Sequence, residues 1–284
     1  MIEASNDVWI SAEDLSIRLG DPGLVLLDVR FTPEAGPDRD AYLRGHIPGA
    51  HFVDFPVELA SERTATSGNR PLPSVDAWQN RLRDWGIHAT TTVVVYDDRA
   101  GLSAARSWWL LRWSGVEARI LDGGYSHWLS NGFASEIDEP SRSSGTAVVI
   151  PGALGVLDAD DVLSFTASGG VLIDARKAVS YNRIEAADDG TPGGHIPGAL
   201  SYPAVTSLDS DGTVLSPGVI REAMTNLGVD GSVPVGVYCG GGVAATHVIA
   251  ALATIGIDAS LYPGSWSEWV RGDSRPIEYA GETS

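Results

Sequence analysis

A chain of 284 residues that is 43% hydrophobic, with 33 glycines and 16 prolines spread along it, can bury one large core or two medium ones, and ordinary domain sizes favour two. Its 19 basic and 37 acidic residues leave a net charge of −18, which sets aside nucleic acid as a partner, since such binding runs on neutralised phosphates. No run approaches the ~18 apolar residues of a membrane span, so no membrane partner is expected. A single cysteine excludes an internal disulfide, a CxxC redox pair and a cysteine-rich zinc site.

The stretch Met1–Ile10 holds acidic residues and no apolar run, so no signal peptide is expected and the reading is cytoplasmic. Ser11 followed three residues later by Asp14 opens a helix. Leu24 to Leu27 is a short apolar run ending in Asp28-Val29-Arg30, and the motif Gly45-His46-Ile47-Pro48-Gly49-Ala50 follows it. Thr92 to Tyr96 is β-rich, as in strands buried on both faces of a parallel sheet. Its corner reads Asp97-Asp98-Arg99-Ala100-Gly101 and leads into a helix from Ala104 to Trp113, whose Trp108, Trp109 and Trp113 are expected in a core or a domain interface. A last strand, Glu117 to Leu121, is followed by Gly123-Gly124 and Trp128. The polar stretch from Glu139 to Gly145, with Pro140 and no periodicity, is a linker.

Beyond it the same pattern is written again. Asp158 and Asp161 repeat the helix opening, Val171 to Ile173 ends in Asp174-Ala175-Arg176, and the six-residue motif recurs unchanged as Gly194-His195-Ile196-Pro197-Gly198-Ala199. Val233 to Tyr238 repeats the second strand, Ala244 to Ile255 the helix with Gly256 as its cap, and Asp258 to Tyr262 the last strand, before Pro263-Gly264, Trp266 and Trp269. Alternating strands and helices give an α/β chain of two tandem domains, each a parallel sheet with helices on both faces: residues 1–138, a linker at 139–145, and residues 146–284. In the repeated motif, proline and glycine set a turn and His46 and His195 are expected to satisfy buried polar groups rather than to catalyse.

The copies differ at one corner. Where the first has Asp97, the second has Cys239, followed by Gly240-Gly241-Gly242-Val243 and a helix from Ala244. This is the carboxyl end of a parallel strand, where open α/β sheets bind ligands. Three glycines let successive N–H groups gather on one spot and the helix adds its positive end, which favours a thiolate or a bound anion. A buried inert cysteine has no need of such a loop. Cys239 is therefore expected to be a reactive nucleophile, with Gly240, Gly241, Gly242, Val243 and Ala244 as its binding loop. The second half carries 6 basic residues against 16 acidic, and three of them, Arg176, Lys177 and Arg183, fall close together.

The doubled motif, the paired Asp-x-Arg strand ends and a cysteine loop in the second copy alone resemble the tandem rhodanese-domain sulfurtransferases over nearly the whole chain. The resemblance implies an inactive N-terminal and a catalytic C-terminal rhodanese-like domain. It implies a ping-pong reaction in which Cys239 takes a sulfane sulfur from thiosulfate or 3-mercaptopyruvate as a persulfide. An acceptor such as a thiol, cyanide or a thioredoxin-like protein then receives it, with no cofactor or metal. Thiosulfate-specific members carry basic residues just after the cysteine, and mercaptopyruvate-specific members a neutral Cys-Gly-Ser-Gly-Val-Thr loop. The present loop resembles the neutral type but has Gly241 for serine and Ala244 for threonine. Members also place an arginine four residues after the Asp-x-Arg arginine to meet the donor's anionic group. That position is Ser180, and Arg183, helped by Arg176 or Lys177, is expected to replace it. A cysteine phosphatase, the nearest rival, needs arginine six residues after the cysteine and finds Ala245. A persulfide carrier or regulatory module without turnover is the other alternative.

Overall fold

The computed structural model describes residues 8–141, 143–272 and 275–279. The leader reading of residues 1–7, and Arg142 in the linker, lie outside them. The described chain folds into two compact units that do not follow the repeat boundary. One contains the chain up to Ser61, Leu72–Leu154 and Leu208–Leu215; the other contains Glu62–Pro71, Gly155–Ser207 and the chain from Ser216 onward.

This partition differs from a division at residues 139–145 in two respects. First, the stretch after the linker stays with the first unit, because that unit satisfies its backbone donors: Gly145 N–H reaches the Arg83 carbonyl at 2.8 Å, Ala147 the Ile87 carbonyl at 2.9 Å and Gly152 the Trp113 carbonyl at 3.1 Å. Second, each repeat gives up one polar strip, Glu62–Pro71 or Leu208–Leu215, to the unit that is otherwise built from the other.

The first unit is built on five parallel strands in the order Trp9–Ile10, Glu117–Leu121, Thr92–Tyr96, Leu24–Asp28, Ala50–Phe52. Their valine, leucine and isoleucine runs are buried on both faces, as a parallel sheet between helices requires. Ser11 caps the opening helix Ala12–Arg18 by accepting from Asp14 N–H, as its sequence predicts. Helix Ala104–Trp113 is buried nearly all round, and Trp108, Trp109 and Trp113 belong to the core.

The second unit has four parallel strands in the order Ala259–Leu261, Val235–Tyr238, Val171–Asp174, Leu200–Ser201. The counterpart of Trp9–Ile10 has shrunk to a single parallel bridge between Val156 and Leu261. Its opening helix runs Asp161–Ala167 and starts later than the sequence predicts, because the Asp158 carboxylate first accepts from both Asp160 and Asp161 N–H and closes a turn ahead of it. Helix Ala244–Thr254 ends at Gly256, which takes φ 78°. No helix among the described residues is long and apolar enough to cross a membrane.

Candidate active site

Both units use the same frame under the corner. In the second, the Arg176 guanidinium grips both oxygens of Asp174 at 2.6–3.0 Å, donates to the Gly194 carbonyl at 2.8 Å and lies over the Trp266 ring at 4.5 Å. In the first, Arg30 does the same with Asp28, the Gly45 carbonyl and the Tyr125 ring. Sheet register sets Asp174 beside Tyr238, and the Tyr238 hydroxyl accepts from Ile196 N–H of the repeated motif at 3.1 Å. Burial holds the Tyr238 phenol well above its ordinary pKa, so it stays protonated. Burial works to lower the Arg176 pKa, but the Asp174 carboxylate outweighs it and the net direction is up. His46 stacks on Tyr42 and His195 on Tyr181, each with Nδ1 on that tyrosine's carbonyl. The motif histidines thus hold turns together in both copies.

The corner after Tyr96 shows what such a loop binds. The buried Asp97 carboxylate accepts four backbone N–H groups of its own loop, from Arg99 at 2.8 Å, Gly101 at 2.8 Å, Ser103 at 2.6 Å and Ala104 at 2.9 Å. It is an anion cradle filled from within. Asp97→Ala is expected to cost about 2 kcal/mol, the penalty for orphaned buried donors, and to leave chemistry at Cys239 unchanged; urea unfolding beside an activity assay checks both.

Cys239 stands at the equivalent strand end and is 3% exposed. Among the described residues, the N–H groups of Gly240, Gly241, Val243 and Ala244 reach no protein acceptor. A turn packed above holds the loop in place: Cys239 N–H donates to Ser265 Oγ at 3.1 Å, while Trp266 and Ser267 N–H donate to the carbonyls of Cys239 and Gly240. Ser265 adopts φ 54°, a left-handed conformation that disfavours a side chain, and the first copy has Gly124 there with φ 63°. The strain is offset by its hydroxyl, which accepts from Cys239 and donates to the Tyr262 carbonyl.

The rhodanese-like domain profile matches residues 11–131 and 158–271. A protein of Mycobacterium tuberculosis provisionally named a thiosulfate sulfurtransferase is 41% identical, covering 97% of this chain and 98% of its own. The chain belongs to the rhodanese family of sulfurtransferases. Its rhodanese relatives include the 3-mercaptopyruvate sulfurtransferase of Escherichia coli K12, 34% identical over 95% of this chain and 97% of that protein. The crystal structure of SseA from Escherichia coli, described as a 3-mercaptopyruvate sulfotransferase with the rhodanese fold, superposes with a TM-score of 0.81 at 31% identity, covering 91% of this chain and 98% of that one.

Within this rhodanese chain the expected basic helpers separate. Arg176 has its Nε and Nη2 committed to Asp174 and Gly194, with its side chain 8% exposed, so it belongs to the frame. The reason is visible in Arg30, which makes the same contacts where the corner has Asp97 in place of Cys239. Lys177 is exposed and precedes the short helix Ala178–Tyr181. Arg183 is half-buried; its carbonyl accepts from Gly194 N–H at 2.6 Å, and its guanidinium makes no hydrogen bond among the described residues. Two parts of the site escaped the sequence reading. Ser265 was detectable as the serine aligned with Gly124, and the strip Glu62–Pro71 carries no periodic signal.

Proposed function

We propose that Cys239 carries sulfur from a small anionic donor to a thiophilic acceptor as a persulfide held by the Gly240–Ala244 loop, and that the first repeat is the inactive copy. The thiolate sulfur attacks the donor's sulfane sulfur. A new S–S bond forms, the donor's bond to that sulfur breaks, and its electron pair leaves with the donor remnant. A thiol, cyanide or a thioredoxin-like protein then attacks the outer sulfur and returns the thiolate. The observation that carries this reading is Asp97. The same corner in the first copy binds a carboxylate with four N–H groups, and the second presents a sulfur nucleophile to a loop in which the N–H groups of Gly240, Gly241, Val243 and Ala244 reach no protein acceptor among the described residues. Such donors are worth most when charge lies in a water-poor site. Gly240, exposed beside the buried cysteine, gives the approach.

Arg183 is the proposed partner for the donor's anionic end, because a planar guanidinium suits a carboxylate or sulfonate. Arg183→Ala is expected to raise the donor KM about tenfold with kcat little changed; an unchanged KM makes it a solvated side chain. A thiol that cycles between free and persulfide forms suits a reducing compartment, which supports a cytoplasmic location.

Mass spectrometry of the protein incubated with thiosulfate or 3-mercaptopyruvate tests the proposal. An adduct of about +32 Da at Cys239, discharged by cyanide or thiol with steady turnover, is the expected result. No adduct with either donor overturns it, and an adduct without turnover makes the protein a carrier.

A further inference from the structure

The strip Glu62–Pro71 is written in the first repeat and folds in the unit that holds Cys239. Asn69 N–H donates to Ser267 Oγ at 2.9 Å, and the Arg271 guanidinium donates to the Ser67 carbonyl at 2.8 Å and to Asn69 Oδ1 at 2.7 Å. At Gly68 an added methyl would stand 2.4 Å from the Gly264 carbonyl oxygen, so the strip approaches closer than any side chain permits. These contacts deliver Arg70 to the cysteine loop. Its Nη1 lies 3.3 Å from where a side chain on residue 241 would begin, with Asn69 Cβ at 3.4 Å from the same point. Gly241 and Arg70 therefore share one space, two residues past the nucleophile.

We infer that Arg70 binds the oxygens of thiosulfate and of the sulfite that leaves it, and that the Gly241–Arg70 pair makes this site prefer thiosulfate to mercaptopyruvate. This rests on Cys239 being the sulfur carrier. With thiosulfate, the Cys239 thiolate attacks the sulfane sulfur, the S–S bond to the sulfonate sulfur breaks, and both electrons leave with sulfite. No proton changes place. The step calls for positive charge beside three oxygens, and a guanidinium supplies it in a matching planar fork. With mercaptopyruvate, the C–S bond breaks and its electron pair stays on carbon, so the pyruvate enolate has to be protonated. From Gly240 to Ala244 no side chain bears a transferable proton, and a guanidinium keeps its own at neutral pH. The loop is neutral in its own residues, and Arg70 brings it charge without acidity.

Steady-state kinetics of the full chain with each donor, cyanide as acceptor, decide the matter beside the mass of the Cys239 adduct. Wild type is expected to show the higher kcat/KM with thiosulfate. Arg70→Ala lowers that value on the order of 10- to 100-fold, mainly through KM, with mercaptopyruvate altered less than about threefold and the melting temperature retained. Arg70→Lys recovers part of the loss. Gly241→Ser, which pushes a side chain against Arg70, moves the donor ratio in the same direction. A wild type that prefers mercaptopyruvate, or an Arg70→Ala protein with unaltered thiosulfate kinetics and a normal persulfide, overturns the inference. Absence of a persulfide in wild type with both donors overturns the sulfur-carrier reading, and this inference with it.

Discussion

Cys239→Ser is expected to abolish sulfur transfer, lowering kcat by at least roughly a thousandfold and removing the persulfide adduct. A serine hydroxyl holds its proton at neutral pH and forms no persulfide, and no other thiol exists in the chain to take over. The fold is expected to survive, because the contacts that seat the loop run through backbone atoms: Cys239 N–H to Ser265, and the Cys239 and Gly240 carbonyls to Trp266 and Ser267. Cys239→Asp makes the second corner resemble the first. Its carboxylate is expected to draw in the loop N–H groups and give a stable, inert protein. Residual turnover above about one per cent in the serine variant would place the chemistry elsewhere, and a Cys239→Asp protein that unfolds would show that this loop does not accept an anion.

Asp174→Ala is expected to cause the largest loss of stability, about 3–5 kcal/mol, the usual result of leaving one member of a buried ion pair without its partner. Asp174 is fully buried and the Arg176 side chain is 8% exposed, so water cannot replace the lost carboxylate. The consequence for function is indirect. Arg176 holds the Gly194 carbonyl and covers Trp266, the residue whose N–H holds the Cys239 carbonyl. Loosening that chain of contacts disturbs the turn above Cys239. Urea unfolding should show the loss, and Asp174→Asn, which keeps the shape and some hydrogen bonding, should show a smaller one. A change under about 1 kcal/mol would mean that the pair contributes little.

The frame was legible because its parts are local or duplicated. Thr92–Tyr96 and Glu117–Leu121 have the bounds their apolar runs predict, and the six-residue motif and the Asp-x-Arg ends mark equivalent places in both units. Periodicity does not report competition between neighbours, which is why the helix at Asp161 starts late: Asp158 caps a turn before the helix can form. Nor does it report partners far along the chain. Asn69 and Ser67 bond to residues 198 and 204 positions away, and their strip is polar, without alternation or helical spacing. Arg176 could be assigned to the frame from Arg30 alone, since a residue present beside Asp97 as well as beside Cys239 is not specific to the reacting corner.

The exchange of strips bears on how such a chain could have evolved. Because Glu62–Pro71 folds with the unit carrying Cys239 and Leu208–Leu215 with the other, neither repeat contains a whole unit by itself. The repeat with Asp97 cannot be removed without removing part of the unit that holds Cys239. Mutations in the first half, at Gly68 or Asn69, are in this sense mutations of the unit that holds Cys239. Selection acts on the two repeats as one gene, although only one of them keeps the cysteine.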